Sequence, residues 1–483
     1  MTQLPRSTPE AQGVPAQAIL DFAKSADATI RDFNSFMLVR HGHVIAESFW
    51  QPYAPGRKHT LFSLSKSFVS SAIGMLVDAG KLSVDAPVLS LLPDEAPDNP
   101  SDNLKAMRVR HLLSMSTGHE VDTTGSMFSS GASSWVRAVL SQPVTHVPGT
   151  HFVYNSGATH VLAAIVQRIT GERLSQFLQP RLYAPLGIDA SWMTDPNGID
   201  MGGWGMSTTT ESIAKFGQLY LQKGMWQGQR ILSDTWVTQA TSKQVDNANP
   251  ADPIQPIDWA QGYGYQFWRC QHGLYRGDGA FGQYCVVMPE QDAVLAITSG
   301  VPNMQAVLNL VWRILLPALG QSAGVSPDAS ATALLSSTLG SRRIAPVEGQ
   351  RPSATAKRVS GTSFKLEPND RGTTSLTFEF DNDGCTLVRQ NAHGTEHIRC
   401  GYGDWRASEA RLESFLGLGG HTPTAASGAW TSADAFTMKV VFVETPFIET
   451  YVCHFGQNTL IVEPQVNVGF GPTTLPTLIG HTA

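Results

Sequence analysis

SLSKSFVSSAIGMLVDAG, residues 63–80, sets apolar side chains at 68, 69, 72, 73 and 76 and stops on Gly80. Apolar residues three and four apart share one helix face, and glycine commonly follows a helix end, so the stretch predicts an amphipathic helix. It opens on Ser63-Leu64-Ser65-Lys66. A serine there sits at the helix N-terminus, where unpaired backbone N–H groups and the helix dipole can stabilise an oxyanion. A lysine three residues on lies on the same face, within reach of the serine hydroxyl. Among apolar or cationic groups its amine loses basicity and can accept a proton near neutral pH.

The same spacing recurs at Ser212-Ile213-Ala214-Lys215, so alone it decides nothing. That second copy follows STTTE and reads as a capped helix start with Lys215 on its solvated side. Two downstream stretches single out the first copy. One is Phe152-Val153-Tyr154-Asn155-Ser156-Gly157, after Pro148-Gly149. The other is Arg276-Gly277-Asp278-Gly279-Ala280-Phe281-Gly282-Gln283, ahead of the strand-like CVVMPEQDAVLAITSG.

In this order the motifs resemble the serine β-lactamase-related hydrolases, the branch of class C β-lactamases, D-peptidases and carboxylesterases. Those proteins carry S-x-x-K, then Y-x-N or Y-x-S, then K-T-G or H-x-G. VRHLLSMSTGH (109–119), YAPLGI (183–188) and GGWGMSTTTESIAKFGQLYLQKG (202–224) also read like that family's signatures, and the resemblance covers roughly residues 7–320. It implies that Ser63 is the nucleophile of an acyl-enzyme, Lys66 its base, and Tyr154 the group that passes the proton to the leaving group. It also implies an oxyanion hole made by the backbone N–H groups of Ser63 and Ala280. Asn155, Ser156, Gly277, Asp278 and Gly279 become the substrate-binding candidates, and either Asn155 or Ser156 could supply the polar contact of the second motif.

The third motif departs from the pattern. Gly277-Asp278-Gly279 keeps glycines where a substrate must approach a strand backbone but lacks the family's cation. Alternation along an extended 276–285 would aim Arg276 away from the face of Gly277. Asp278 would then bring negative charge to the cleft or face away from it. The missing cation argues against efficient β-lactam hydrolysis and for an ester or amide substrate that is neutral or carries an amine. Acyl transfer to an alcohol or amine on the same site, and a non-catalytic binding protein, are the alternatives.

The resemblance implies a β-lactamase/transpeptidase-like mixed α/β (α+β) sandwich. An antiparallel sheet and a helical subdomain would fill residues 1–320. FMLVRHGHVIAESFW (36–50) reads as two strands about a turn, and MQAVLNLVWRILLPAL (304–319) as a helix ended near Pro317. Residues 321–350 shift to Ser, Ala, Gly and Pro and read as a linker with a short helix at 332–339. From 351 to 483 the pattern is nearly all strand, with a hairpin signature at TSLTFEF-DNDG-CTLV (374–388), and predicts a small all-β domain.

Composition narrows the rest. With 42% hydrophobic and 15% charged residues the chain can build a large core, and a net charge of −6 offers no basic face for nucleic acid. Five scattered cysteines without a C-x-x-C suit a reduced, cytoplasmic setting. There is no signal-like start and no apolar run of bilayer length. The expected partner is a small-molecule or peptide substrate, without nucleic acid, membrane, metal or organic cofactor, because Ser, Lys and Tyr suffice for acyl transfer. Ser101-Asp102-Asn103 reads as a turn, His41/His43 as a solvated hairpin and His393/His397 as loop residues. His59 and His111 read as structural. Loops 120–145 and 245–262, with Trp135, Trp192, Trp204 and Trp259, are candidates for the cleft walls.

Overall fold

A computed structural model describes residues 3–249, 252, 254–320, 325–326, 328–351, 354–412 and 420–482. Strands from both ends of the first 320 residues join in one six-stranded antiparallel sheet. In spatial order they are His43–Phe49, Phe33–Arg40, Ala293–Ser299, Gln283–Met288, Tyr275–Gly279 and Trp268–Arg269. Side chains alternate along each strand, so Met37, Val39, Val294 and Ala296 enter one core and Phe36, Leu38, Leu295 and Ile297 the other. Helices Ser65–Asp78, Ser156–Thr170 and Thr210–Leu221 cover the first face. Ala16–Thr29 and Met304–Leu310 cover the second. With both faces buried, these strands read in sequence as apolar runs rather than as a clean polar alternation.

Two elements differ in local geometry from expectation. Phe62–Leu64 form a 3₁₀ turn and the α-helix proper runs from Ser65 to Asp78, which places Ser63 in the lead-in turn. The helix expected over 304–319 does end near Pro317, at Leu319, but it is not α-helical throughout. Met304–Leu310 runs into a π-turn at Val311–Leu315 and on through Leu316–Leu319. The π-turn has already widened the hydrogen-bond ladder, so a residue without an N–H is accommodated just after it.

From Ser363 to Thr482, ten strands form a second sheet that closes on itself through the parallel pairing of Cys400–Tyr402 with Ala426–Gly428. Phe364, Phe378, Trp430, Phe436, Phe455 and Leu460 are buried in its core. The hairpin expected at 374–388 is the pair Thr373–Phe380 and Gly384–Asn391. Ahead of the barrel, the short helix expected at 332–339 extends over Ala329–Gly340. Of the expected linker, 321–324 and 327 lie outside the described residues, as do 352–353 and, in the loop 245–262, residues 250, 251 and 253. Among the described residues no helix is long and apolar enough to cross a membrane.

Candidate active site

The helix Ser65–Asp78 packs against Ser156–Thr170, and this brings the first two motifs together. Lys66 Nζ donates to Ser63 Oγ at 2.9 Å, to Ser156 Oγ at 3.0 Å and to the Gly203 carbonyl at 2.7 Å. Lys66 is 1% exposed. Burial disfavours its ammonium form and lowers its pKa to about 7, against the opposing pull of Asp122 and Asp278. Part of the Lys66 population is therefore a free amine at neutral pH.

Tyr154 comes from the loop before Ser156–Thr170. Its ring stacks on Trp268 at 5.0 Å, meets Tyr263 edge-on at 6.1 Å and lies 4.8 Å from Lys66 Nζ. Burial raises its phenol well above the usual pKa, with the neighbouring Ser63 side chain pulling the other way. Tyr154 therefore remains a neutral O–H that can relay a proton, while Lys66 is the group able to take one. Ser63, Tyr154, Ser156 and Ala280 keep partial solvent contact above the buried Lys66.

Asn155 and Ser156, left open by the sequence, separate by role. Ser156 reaches Lys66. Asn155 is fully buried, and its Oδ1 caps the helix at the Ala158 N–H and accepts from the Thr123 N–H and hydroxyl. Of this candidate substrate contact, the oxygen is spent on the cap and the 120–124 turn.

The third motif lies on the strand Tyr275–Gly279, in register with Gln283–Met288. Gly277 and Gly279 face the helix side. A Cβ on Gly277 would collide with Leu64 Cδ1 and lie 2.7 Å from Ser67 Oγ, and one on Gly279 would collide with the Leu61 carbonyl. A side chain at Gly277 would have to displace Leu64 and Ser67, and the family's cation has no counterpart there. Arg276 and Asp278 share the opposite face, as alternation requires, and form a buried pair at 2.8 Å. Arg276 stacks over Trp259 at 4.3 Å and donates to the Asp258 carbonyl at 2.9 Å. Asp278 was the other candidate substrate contact whose polar atoms are engaged within the protein. It is 5% exposed and committed to Arg276, and it acts on the site through its charge.

Asp122 was not singled out from the sequence. Its Oδ1 accepts from the Ser156 N–H at 3.1 Å and from the Thr124 N–H and hydroxyl, and its charge bears on Lys66. The only signal was its place in a proposed wall loop, since a lone Asp there carries no motif. The Gly203 carbonyl and Trp268 were missed as well, one being main chain and the other one tryptophan among 11. Of the proposed wall tryptophans, Trp204 follows Gly203 and clusters with Trp135 and Phe128. Trp192 donates to the Tyr183 hydroxyl, and Trp259 packs on Arg276.

The remaining candidates are structural. Thr209 caps the helix Thr210–Leu221, and Lys215 is buried with its amine on the Gly187 carbonyl at 3.2 Å, not solvated as expected. Ser101 caps a short helix, Asp102–Ala106, rather than a turn. His41 and His43 flank a hairpin turn, and His397 lies within the strand Gly394–Tyr402. His59 and His111 are driven by burial to about 4 and are neutral hydrogen-bonding groups. Among the described residues, Glu120, His146 and His151 form the one group that could offer three ligand atoms to a metal, all within 4.8 Å of one another. His146 already pairs with Glu120 at 2.6 Å and stacks on His151.

The family model described as Beta-lactamase matches residues 26–315, which take in Ser63, Lys66, Tyr154 and the strand Tyr275–Gly279. The chain belongs to the beta-lactamase family. Within it, the 6-aminohexanoate-dimer hydrolase of Paenarthrobacter ureafaciens is 26% identical over 305 residues, covering 60% of this chain and 77% of that protein. Esterase EstB of Burkholderia gladioli is 30% identical over 175 residues, 32% of this chain and 44% of the esterase. Among solved structures, EstCE1, a hydrolase with promiscuous acyltransferase activity, superposes with a TM-score of 0.52 at 17% identity. That match covers 64% of this chain and all of EstCE1 (100%). This beta-lactamase family member is thus a serine hydrolase by kinship, with a barrel beyond the matched residues.

Proposed function

We propose that the chain cleaves a carboxylic ester or an amide or peptide bond through an acyl-enzyme on Ser63. The observation that carries this reading is the buried Lys66 amine, 2.9 Å from Ser63 Oγ, with its pKa lowered to about 7. In the reaction, neutral Lys66 accepts the Ser63 proton as Oγ attacks the carbonyl carbon. The resulting oxyanion faces the amides of Ser63 and Ala280. Tyr154 gives its proton to the departing alkoxide or amine and is reprotonated from Lys66. Water then attacks the acyl group, losing its proton along the same path, and Ser63 is released.

Ester and amide cleavage both pass through this intermediate, which fits relatives named as a 6-aminohexanoate-dimer hydrolase and as an esterase. The absence of a cation at Gly277 and the carboxylate of Asp122 beside Ser156 favour acyl substrates that are neutral or carry an amine over anionic β-lactams. The test is a panel of p-nitrophenyl esters, D- and L-aminoacyl anilides and nitrocefin, run on wild type and Ser63→Ala. Turnover of esters or anilides well above that of nitrocefin, lost by about 10³-fold or more in Ser63→Ala, supports the reading. Equal rates in the two proteins would sink it.

A further inference from the structure

Phe62 and Phe281 stand in matching places, the first immediately before Ser63 and the second immediately after Ala280. Both backbones are left-handed, at φ 49° and φ 67°, a conformation that non-glycine residues hold only when their surroundings enforce it. Both side chains point away from the hydrolase core into the core of the barrel. Their rings meet edge-on at 5.4 Å. Phe447, on the barrel turn between Ala435–Phe442 and Ile448–Phe455, closes on Phe62 at 6.1 Å and on Phe281 at 5.7 Å. Phe470 contacts the same two rings at 6.1 and 4.9 Å.

Hydrogen bonds fix the same junction. The Thr60 N–H donates to the Glu444 carbonyl at 2.8 Å, and the Tyr53 hydroxyl to the Thr445 carbonyl at 2.8 Å. Asn467 Nδ2 donates to the carbonyls of Pro446 at 2.9 Å and Gly300 at 3.3 Å, just beyond the strand beside Ala280. The Val301 N–H returns to the Phe281 carbonyl at 3.0 Å.

We propose that the barrel is part of the catalytic apparatus: Phe447 and Phe470 are positioning residues that hold Phe62 and Phe281, and through them set the relative placement of the Ser63 and Ala280 amides. The proposal rests on the reading of those amides as the oxyanion hole. It gives the barrel a defined task, one that a β-lactamase-like domain without a barrel would have to meet in another way. Because oxyanion donors act only at the right distance from the developing charge, a small displacement lowers kcat while leaving substrate binding nearly intact.

The experiment compares full-length Phe447→Ala, Phe447→Leu and Phe470→Ala with Phe378→Ala, a barrel-core truncation away from this junction whose ring packs on Phe380 and Phe455. Readouts are kcat and KM on the best p-nitrophenyl ester, the rate of labelling by a fluorophosphonate, and Tm. Phe447→Ala is expected to lower kcat and labelling by roughly 10- to 100-fold with KM within about twofold, and Phe447→Leu to restore most of the loss. Phe470 is 71% exposed, and Phe470→Ala is expected to lower kcat with a smaller fall in Tm than Phe447→Ala. Phe378→Ala is expected to lower Tm alone. If Phe378→Ala loses kcat as Phe447→Ala does, or if Phe447→Ala and Phe470→Ala both keep wild-type kcat, the proposal is overturned. Ser63→Ala in the same assay separates the two levels. Activity surviving in Ser63→Ala removes the catalytic reading itself, whereas a dead Ser63→Ala beside fully active phenylalanine variants removes only the role of the barrel.

Discussion

Lys66 is buried and held by three acceptors, and its environment works in two directions. Burial lowers its pKa from 10.5 to about 7, while the carboxylates of Asp122 and Asp278 pull it back up. In the proposed reaction the group that must be deprotonated for attack is this amine, so kcat/KM should rise with pH through about 7 and level off above it. Tyr154 adds no limb at neutral pH because burial keeps its phenol protonated. Asp122→Asn retains an oxygen for the Ser156 and Thr124 N–H groups but removes the charge. The acid limb should therefore move to lower pH, and kcat/KM at pH 6 should rise by roughly two- to threefold relative to wild type, read from a pH–rate profile. A limb that moves upward or stays in place would show that Asp122 does not act on Lys66. At this scale the sequence was legible where a motif fixed the residue type, as with Ser63, Lys66 and Tyr154. It was silent where the contribution is a carbonyl, as at Gly203, or a single charge brought in by a loop, as at Asp122.

The strand Tyr275–Gly279 shows how an element carries chemistry by what it leaves out. Its two glycines let the strand lie against the turn at Leu61–Leu64, and its two ionic residues are turned to the other face and paired. Restoring the family's cation should therefore fail. Gly277→Lys places a side chain against Leu64 and Ser67, and should cost about 1–3 kcal/mol by overpacking and lower the proposed ester turnover without creating nitrocefin turnover. Thermal denaturation and the two substrate assays check this, and a stable variant that gains β-lactam hydrolysis would contradict it. Alternation made the facing of Arg276 readable in advance. The destination of Asp278 was not, because its partner on the same face is decided by the burial of both groups against Trp259 and Trp268. Helix interiors were similarly legible from apolar spacing, whereas the π-turn at Val311–Leu315 and the 3₁₀ turn at Phe62–Leu64 leave no spacing signal.

In the whole molecule, a two-faced sheet with its helices and a closed barrel share one junction at the phenylalanines beside Ser63 and Ala280. Strand patterning and the hairpin signature at 374–388 reveal that a β domain exists. They do not reveal where it docks, because Phe447 and Phe470 lie in turns, where no periodicity constrains them. All five cysteines are buried and free, and burial raises their thiols, so none of them competes with Ser63 as a nucleophile. The chain also contains its own internal control, a second S-x-x-K at Ser212–Lys215 folded into a structural helix. The most direct measurement is therefore intact mass and peptide mapping of the protein quenched during turnover of a slow p-nitrophenyl ester. One acyl group on the peptide carrying Ser63, absent from Ser63→Ala, is the expected result. Turnover with no adduct on Ser63, or an adduct on the Ser212 peptide instead, would overturn the assignment of the nucleophile.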